Sequence, residues 1–408
     1  LCVGWKTCTF KAEAWSRHGI DHNHKNRMGI VRHWYLLLLL SAAGLCSCDG
    51  GRLSVVSSDF GTLSTGEQTT LYTLTNRSGA RMTVCDYGAR IVSIQVPDRD
   101  GVLGDVVVGY GDIASFEKGA ERFMGCVIGR YGNRINHASF SIDGQKYELV
   151  PNELRDEVPV QCHGGPEGFD RFVWESTPLQ EKDRVGVRFQ RVSPDGEQGY
   201  PGNLNCSVTY WWTEENVCRI EYEATTDRPT VVNLSNHTVF NLKGPGDRYV
   251  MNHLMQVESD TYVLANRQLC PDRLLPVEGS PFDFRQMRRV DYRLDNYADE
   301  QLRIANGMSG CWIIRDWDGS LRKVVDLYAP ESGRGVVTLS TEPAFLTFTG
   351  RTFDGSQIGK CGPMEKYCGM LLETFHVADS PNQPEFPSTV LRPGETYSSI
   401  TEWHFYVK

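Results

Sequence analysis

The chain has 408 residues, 40% hydrophobic and 23% charged, a balance that fits a folded globular protein and excludes a disordered or membrane-embedded one. Its formal net charge of -9 at pH 7 disfavours nucleic acid and other polyanions as partners. The 40 glycines, 17 tyrosines and 9 tryptophans suit a turn-rich β protein that handles sugars, whose apolar C–H faces lie well on aromatic rings.

In chain order, residues 1–27 precede Met28, and translation is expected to start at that methionine, leaving the upstream stretch outside the mature protein. Residues 28–48 read as an export signal: Arg32 and His33 are followed by Trp34-Tyr35-Leu36-Leu37-Leu38-Leu39-Leu40, too short a run to span a bilayer as a helix. Leu45-Cys46-Ser47-Cys48 resembles a bacterial lipobox, with small Ser47 before Cys48, so Cys48 is the expected lipid site and the lipid the only membrane contact. The protein is then expected in the bacterial envelope, periplasmic or at the cell surface. Residues 49–65 are rich in Gly and Ser and read as a flexible tether.

From 66 to 408 the pattern is that of one β domain. Arg81-Met82-Thr83-Val84-Cys85 reads as a strand, and Asp112 to Glu117 as a short helical turn. Phe140-Ser141-Ile142 and Lys146-Tyr147-Glu148-Leu149 flank Asp143-Gly144, a hairpin turn in which glycine accepts positive φ. A second hairpin joins Val208-Thr209-Tyr210-Trp211-Trp212 to Val217-Cys218-Arg219-Ile220-Glu221-Tyr222. Many strands and few short helices imply a large antiparallel β-sandwich. The cysteines after the lipobox show no CxxC pair, which argues against a zinc site, and they are expected to be mostly free, buried thiols.

Four segments set polar side chains into Gly-marked turns or apolar runs: Gly129-Arg130-Tyr131-Gly132-Asn133-Arg134, Cys162-His163-Gly164-Gly165, Asn233-Leu234-Ser235-Asn236-His237, and Leu372-Glu373-Thr374-Phe375-His376. A histidine held among amides can pass a proton either way near neutral pH, and the glycines beside His163 let backbone approach a ligand. Arg134 offers a forked donor suited to neighbouring hydroxyls, or to a carboxylate partner. Glu373 follows an apolar run and is either a buried ion-pair member or a catalytic group.

These segments, with Gly168-Phe169-Asp170, Asp379-Ser380-Pro381-Asn382 and Leu391-Arg392-Pro393-Gly394-Glu395, resemble the aldose 1-epimerase (galactose mutarotase) family from about Leu71 to the C-terminus. The resemblance implies interconversion of the α and β anomers of a free monosaccharide, without metal or organic cofactor. It implies Glu373 as base, His237 as acid, His163 as a hydrogen-bonding partner near the ring oxygen, and Asn133 and Arg134 as sugar-binding residues. Apolar surroundings should raise the pKa of Glu373 and favour neutral His237. Two positions depart from the family: Ser309 stands where a sugar-binding aspartate is expected, and Leu346 where a glutamine is. The departures leave open a differently substituted sugar, and they favour the alternative of a carbohydrate-binding lipoprotein with little turnover.

Overall fold

Alternation with period two governs the largest layer. Strand Val217–Thr226 buries Cys218, Ile220, Tyr222 and Ala224 and leaves the intervening charged residues toward water. It lies between Leu204–Thr213 and Tyr397–Val407 near the middle of a nine-stranded antiparallel sheet, whose further strands are Glu175–Gln180 and Arg184–Ser193 on one side and Arg334–Ser340, Arg322–Tyr328, Leu254–Val257 and Arg288–Arg289 on the other. The computed structural model describes residues 51–245 and 249–408.

A five-stranded sheet, Ser54–Thr62 to Leu103–Asp105 in chain order, sends Leu74, Met82, Val84 and Ile94 into the same apolar core as Val208, Tyr210, Trp212 and Ile220 of the large sheet. Two polar tips fasten the layers: Trp212 Nε1 donates to Ala80 O at 3.1 Å and Tyr210 Oη to Ala89 O at 2.7 Å. Truncating a buried ring such as Trp212 to alanine would cost about 3–5 kcal/mol. A second five-stranded sheet, ordered Pro271–Pro276, Thr261–Ala265, Ser309–Ile313, Ala344–Phe348, Glu373–Phe375, adds Tyr262, Trp312 and Phe345 to that core. The expected antiparallel β-sandwich is the architecture, and Gly50–Lys408 forms one compact unit.

Local readings carry over where turn chemistry is strong. Asp143 and Gly144 both take positive φ, 52° and 82°, and close the hairpin that pairs Gln145 with Ile142. The helical turn is Ile113–Lys118, with the Asp112 side chain accepting from the Ser115 N–H at its start. Among the described residues Cys85, Cys126, Cys162, Cys206, Cys218 and Cys270 are free, buried thiols.

The tether expected over 49–65 is corrected. Ser54–Thr62 is a strand, paired from Ser54 opposite Thr75 to Thr62 opposite Gln68, so the folded unit begins well before residue 66. Its Val55, Val56, Phe60 and Thr62 favour extended backbone, and the serines between them sit on a wet edge strand that content alone mistakes for a linker. The expectations for residues 1–27, the export signal 28–48 and lipid site Cys48 lie outside the described residues.

Candidate active site

Three strand pairings put four side chains in one row. Val263 lies opposite Cys311, Cys311 opposite Leu346, and Leu346 opposite Glu373. Since alternate residues of a strand share a face, this row points one way while Trp312 and Phe345 go to the core on the other. The row lines a cavity of about 540 Å³ that also takes in Asn133, Arg134, His163, His237, Ser309 and Arg351. All six residues expected to act on or bind the sugar therefore face one space.

Glu373 ends that row, 2% exposed, and its Oε1 has no hydrogen-bond partner. Burial pushes its carboxyl up to about 8, and Arg134 draws it back only in part. A carboxyl in that condition is protonated through the neutral range and releases its proton just above it.

The wall that carries His237 is fixed by amides and packs beside the Glu373 strand, with Ser235 Oγ donating to Thr374 O. Asn236 donates to Gly125 O at 3.0 Å and Tyr210 Oη at 2.9 Å, and Asn233 donates to Gly132 O and His376 O. The amides around His237 thus staple backbone, which leaves the imidazole to the cavity. The His237 N–H donates to Cys126 O and its carbonyl accepts from Gly125 N–H, both at 2.9 Å, while ring atom Nδ1 has no partner. Burial holds the ring at about 4.

His163 stands at φ 51° in a tight turn, where a Cβ on Gly164 would meet Gly129 O at 1.9 Å; only glycine fits there. Its Nδ1 accepts from the Asn133 N–H at 3.2 Å, which places the ring hydrogen of neutral imidazole on Nε2 as a donor. Burial, with His237 and Arg134 adding to it, keeps this ring well below the usual histidine range. The two imidazoles meet edge to face at 5.2 Å between centroids, and Phe123 packs 4.8 Å from His163 and 5.9 Å from His237.

Arg134 forks onto Glu153, Nε to Oε2 at 2.8 Å and Nη2 to Oε1 at 3.0 Å, and its Nη1 reaches Asn133 Oδ1 at 3.4 Å. Glu153 also takes Arg155; burial would raise its carboxyl, but the two guanidinium groups hold it at about 2. Ser309 is half-buried on its strand, and its carbonyl accepts from Gln301 Nε2, which ties helix Glu300–Ala305 to the cavity. His376, from the same segment as Glu373, stays outside the lining and bonds Glu342 Oε2 through Nδ1 at 2.7 Å.

The family model for aldose 1-epimerase matches residues 70–404. The chain belongs to the aldose 1-epimerase family. Human galactose mutarotase is 34% identical to it over 358 residues, which cover 87% of this chain and 99% of the human protein. Aldose 1-epimerase of Escherichia coli strain K12 is 34% identical over 343 residues, 83% of this chain and 96% of that one. Among solved structures, galactose 1-epimerase from Lactobacillus acidophilus NCFM shares the fold at a TM-score of 0.74 and 24% identity, covering 87% of this chain and 99% of that one. The chain is accordingly an isomerase, a mutarotase acting on a monosaccharide.

The epimerase cavity also holds groups that sequence reasoning did not single out: Phe123 under the histidines, Glu153 and Arg155 beside Arg134, Cys311 in the floor, and Arg351. Among the described residues no group of three or more His, Cys, Asp or Glu side chains is arranged to hold a metal ion.

Proposed function

We propose that this aldose 1-epimerase opens the sugar ring with Glu373 and His237 as its acid–base pair. Glu373 carboxylate removes the C1 hydroxyl proton as the C1 carbonyl forms and the bond from C1 to the ring oxygen breaks. His237 imidazolium protonates that oxygen. Rotation about C1–C2 turns the aldehyde over, and closure with the roles exchanged yields the other anomer. His163 donates from Nε2 near the ring oxygen, and Arg134 and Asn133 hold hydroxyls.

The observation that carries this reading is the pair of unpartnered buried atoms, Glu373 Oε1 and His237 Nδ1, in one cavity. An orphaned buried polar atom costs about 1–3 kcal/mol, so a site that keeps two has reason to reserve them for a ligand. The proton inventory agrees. With Glu373 at about 8 and His237 at about 4, the pair holds one proton across the neutral range. Burial puts that proton on Glu373 at rest, and its transfer to His237 gives the carboxylate and imidazolium that ring opening uses.

Polarimetry of freshly dissolved single anomers, with the parent protein and Glu373→Gln, tests the assignment. Faster mutarotation by the parent and none by the folded variant is the expected result. Equal rates with both would remove Glu373 from the chemistry, and no acceleration of any sugar would leave a carbohydrate-binding protein.

We further infer from residues 28–48 that the enzyme is exported and lipid-anchored at Cys48, on the bacterial envelope. Cys48→Ser should move it from the membrane fraction to the soluble one.

A further inference from the structure

Among the described residues, Arg351 is the one guanidinium of the cavity lining that has no carboxylate. Arg122 is paired with Asp170, while Arg134 and Arg155 share Glu153. Arg351 Nε is buried without a hydrogen-bond partner, and the ionisable groups acting on it are Arg134, Arg155 and Tyr367. Burial first, and then the two neighbouring arginines, push it down to about 10. Arg351 as a whole is only partly buried, but a guanidinium with a buried, unpartnered Nε and no anion beside it is a costly arrangement, and a ligand that brings the anion relieves it.

Its position is defined by its stem. A Cβ at Gly307 would lie 3.4 Å from Arg351 Cδ, and the guanidinium stands 5.2 Å from the Phe348 ring centre. Phe348 pairs directly with Ser309. The cation therefore sits at the end of the floor where Ser309 replaces the carboxylate expected from the family, so that end changes from negative to positive. Phe348, against which the guanidinium lies, is two residues along its strand from Leu346, the partner of Glu373, which sets Arg351 apart from the reacting carbon.

The rest of the cavity's charge does not cancel it. Glu153 is already shared between two arginines. Glu373 is protonated near neutrality, and burial, with Asp354 adding, raises the Glu121 carboxyl as well. Leu346 and Cys311 beside Ser309 offer C–H and thiol surface where a neutral hexose would need acceptors for its hydroxyls.

We propose that the substrate is an anionic aldose, with Arg351 binding an anionic oxygen group remote from C1. The fork of one guanidinium matches the two oxygens of a carboxylate, which makes a hexuronic acid the fitting form; a sugar phosphate ester presents the same kind of oxygen. This inference rests on the mutarotase reading above.

Anomer exchange measured by NMR at equilibrium tests it, with galacturonate and glucuronate, galactose and glucose, and galactose 6-phosphate. The expected result is a kcat/KM for a uronate at least about tenfold above that of its neutral counterpart, the worth of one charge-assisted bond. Arg351→Gln should reduce the uronate-to-neutral ratio by about ten- to a hundredfold, chiefly through KM, and Arg351→Lys should restore part of it. Circular dichroism and melting of each variant show that it is folded; if Gln does not fold, the Lys variant decides. Preference for the 6-phosphate over the uronates would support the anionic class and assign the group as phosphate. Preference for neutral sugars, or a ratio that Arg351→Gln does not move, overturns the proposal and leaves the mutarotase intact. Exchange of no sugar at all overturns both.

Discussion

Arg130 and Arg351 are the same side chain, both held down to about 10 by burial, yet they live in opposite circumstances. Arg130 sits behind the cavity loops and donates to Ser193 O and Oγ, to Pro194, Pro201 and Gly202 carbonyls, and to Thr230 Oγ1. Every arm of its fork is used. Arg351 faces the cavity with its Nε unmatched, as do Glu373 Oε1 and His237 Nδ1. The contrast separates groups the fold needs from groups the fold merely tolerates: the first are saturated by the protein, and the second wait for atoms the protein does not own.

The largest effect expected from this contrast is chemical. Glu373→Gln keeps the shape of the side chain and removes the proton acceptor, so kcat should fall by about 10²–10⁴. In the parent, kcat/KM should be flat between about pH 4 and 8 and fall tenfold per unit beyond either limit. Below the lower limit His237 and Glu373 hold two protons, and above the upper one they hold none. An upper limb that persists in Glu373→Gln would assign it to another group.

Stability should move in opposite directions at the two kinds of site. Arg130→Gln strands several buried carbonyls and should cost about 3–5 kcal/mol. Glu373→Gln should stabilise, and only at higher pH. The folded-state value of Glu373 lies above its unfolded one, so the stability it contributes is complete below about pH 4.5 and is lost as pH rises toward 8. At pH 8 the variant should melt roughly 5 °C or more above the parent, and at pH 4 the two melting curves should coincide. A variant that melts lower at pH 8 would mean that Glu373 is tied into the fold.

How much of this was legible in the sequence follows the same division. Asp143-Gly144 announces its hairpin because the turn's backbone demands are met by two adjacent residues. Glu373, His237, His163 and Arg134 were legible because their segments carry the family's pattern over most of the chain, but their protonation depends on burial that only the assembled strands create. The strand Ser54–Thr62 was hidden by its own serines, since an edge strand has no strict need of apolar alternation. Helix Glu300–Ala305 has six residues, too few for a helical period to show. Arg351 was the least legible of all. Its meaning lies in which carboxylates are missing around it, and a sequence lists what is present near a residue in the chain, not what is absent near it in space.

The smallest expected effect would reverse the charge change at the floor. Ser309→Asp with Leu346→Gln supplies the two acceptors that the family pattern expects, on adjacent strands of the row that ends in Glu373. An aspartate at 309 does two things at once. It can accept from sugar hydroxyls, and it stands near enough to the segment carrying the Arg351 stem to engage the guanidinium that an anionic sugar would use. The double variant should therefore raise kcat/KM for galactose by about tenfold and lower that for a uronate by a similar factor, the two changes together crossing the parent's preference. Since neither residue gives or takes a proton in the proposed reaction, kcat at saturation should stay close to the parent's for whichever sugar is bound, even though Leu346 lies opposite Glu373. A gain for galactose without loss for the uronate would show that Ser309 and Leu346 govern hydroxyl recognition while Arg351 acts independently of them.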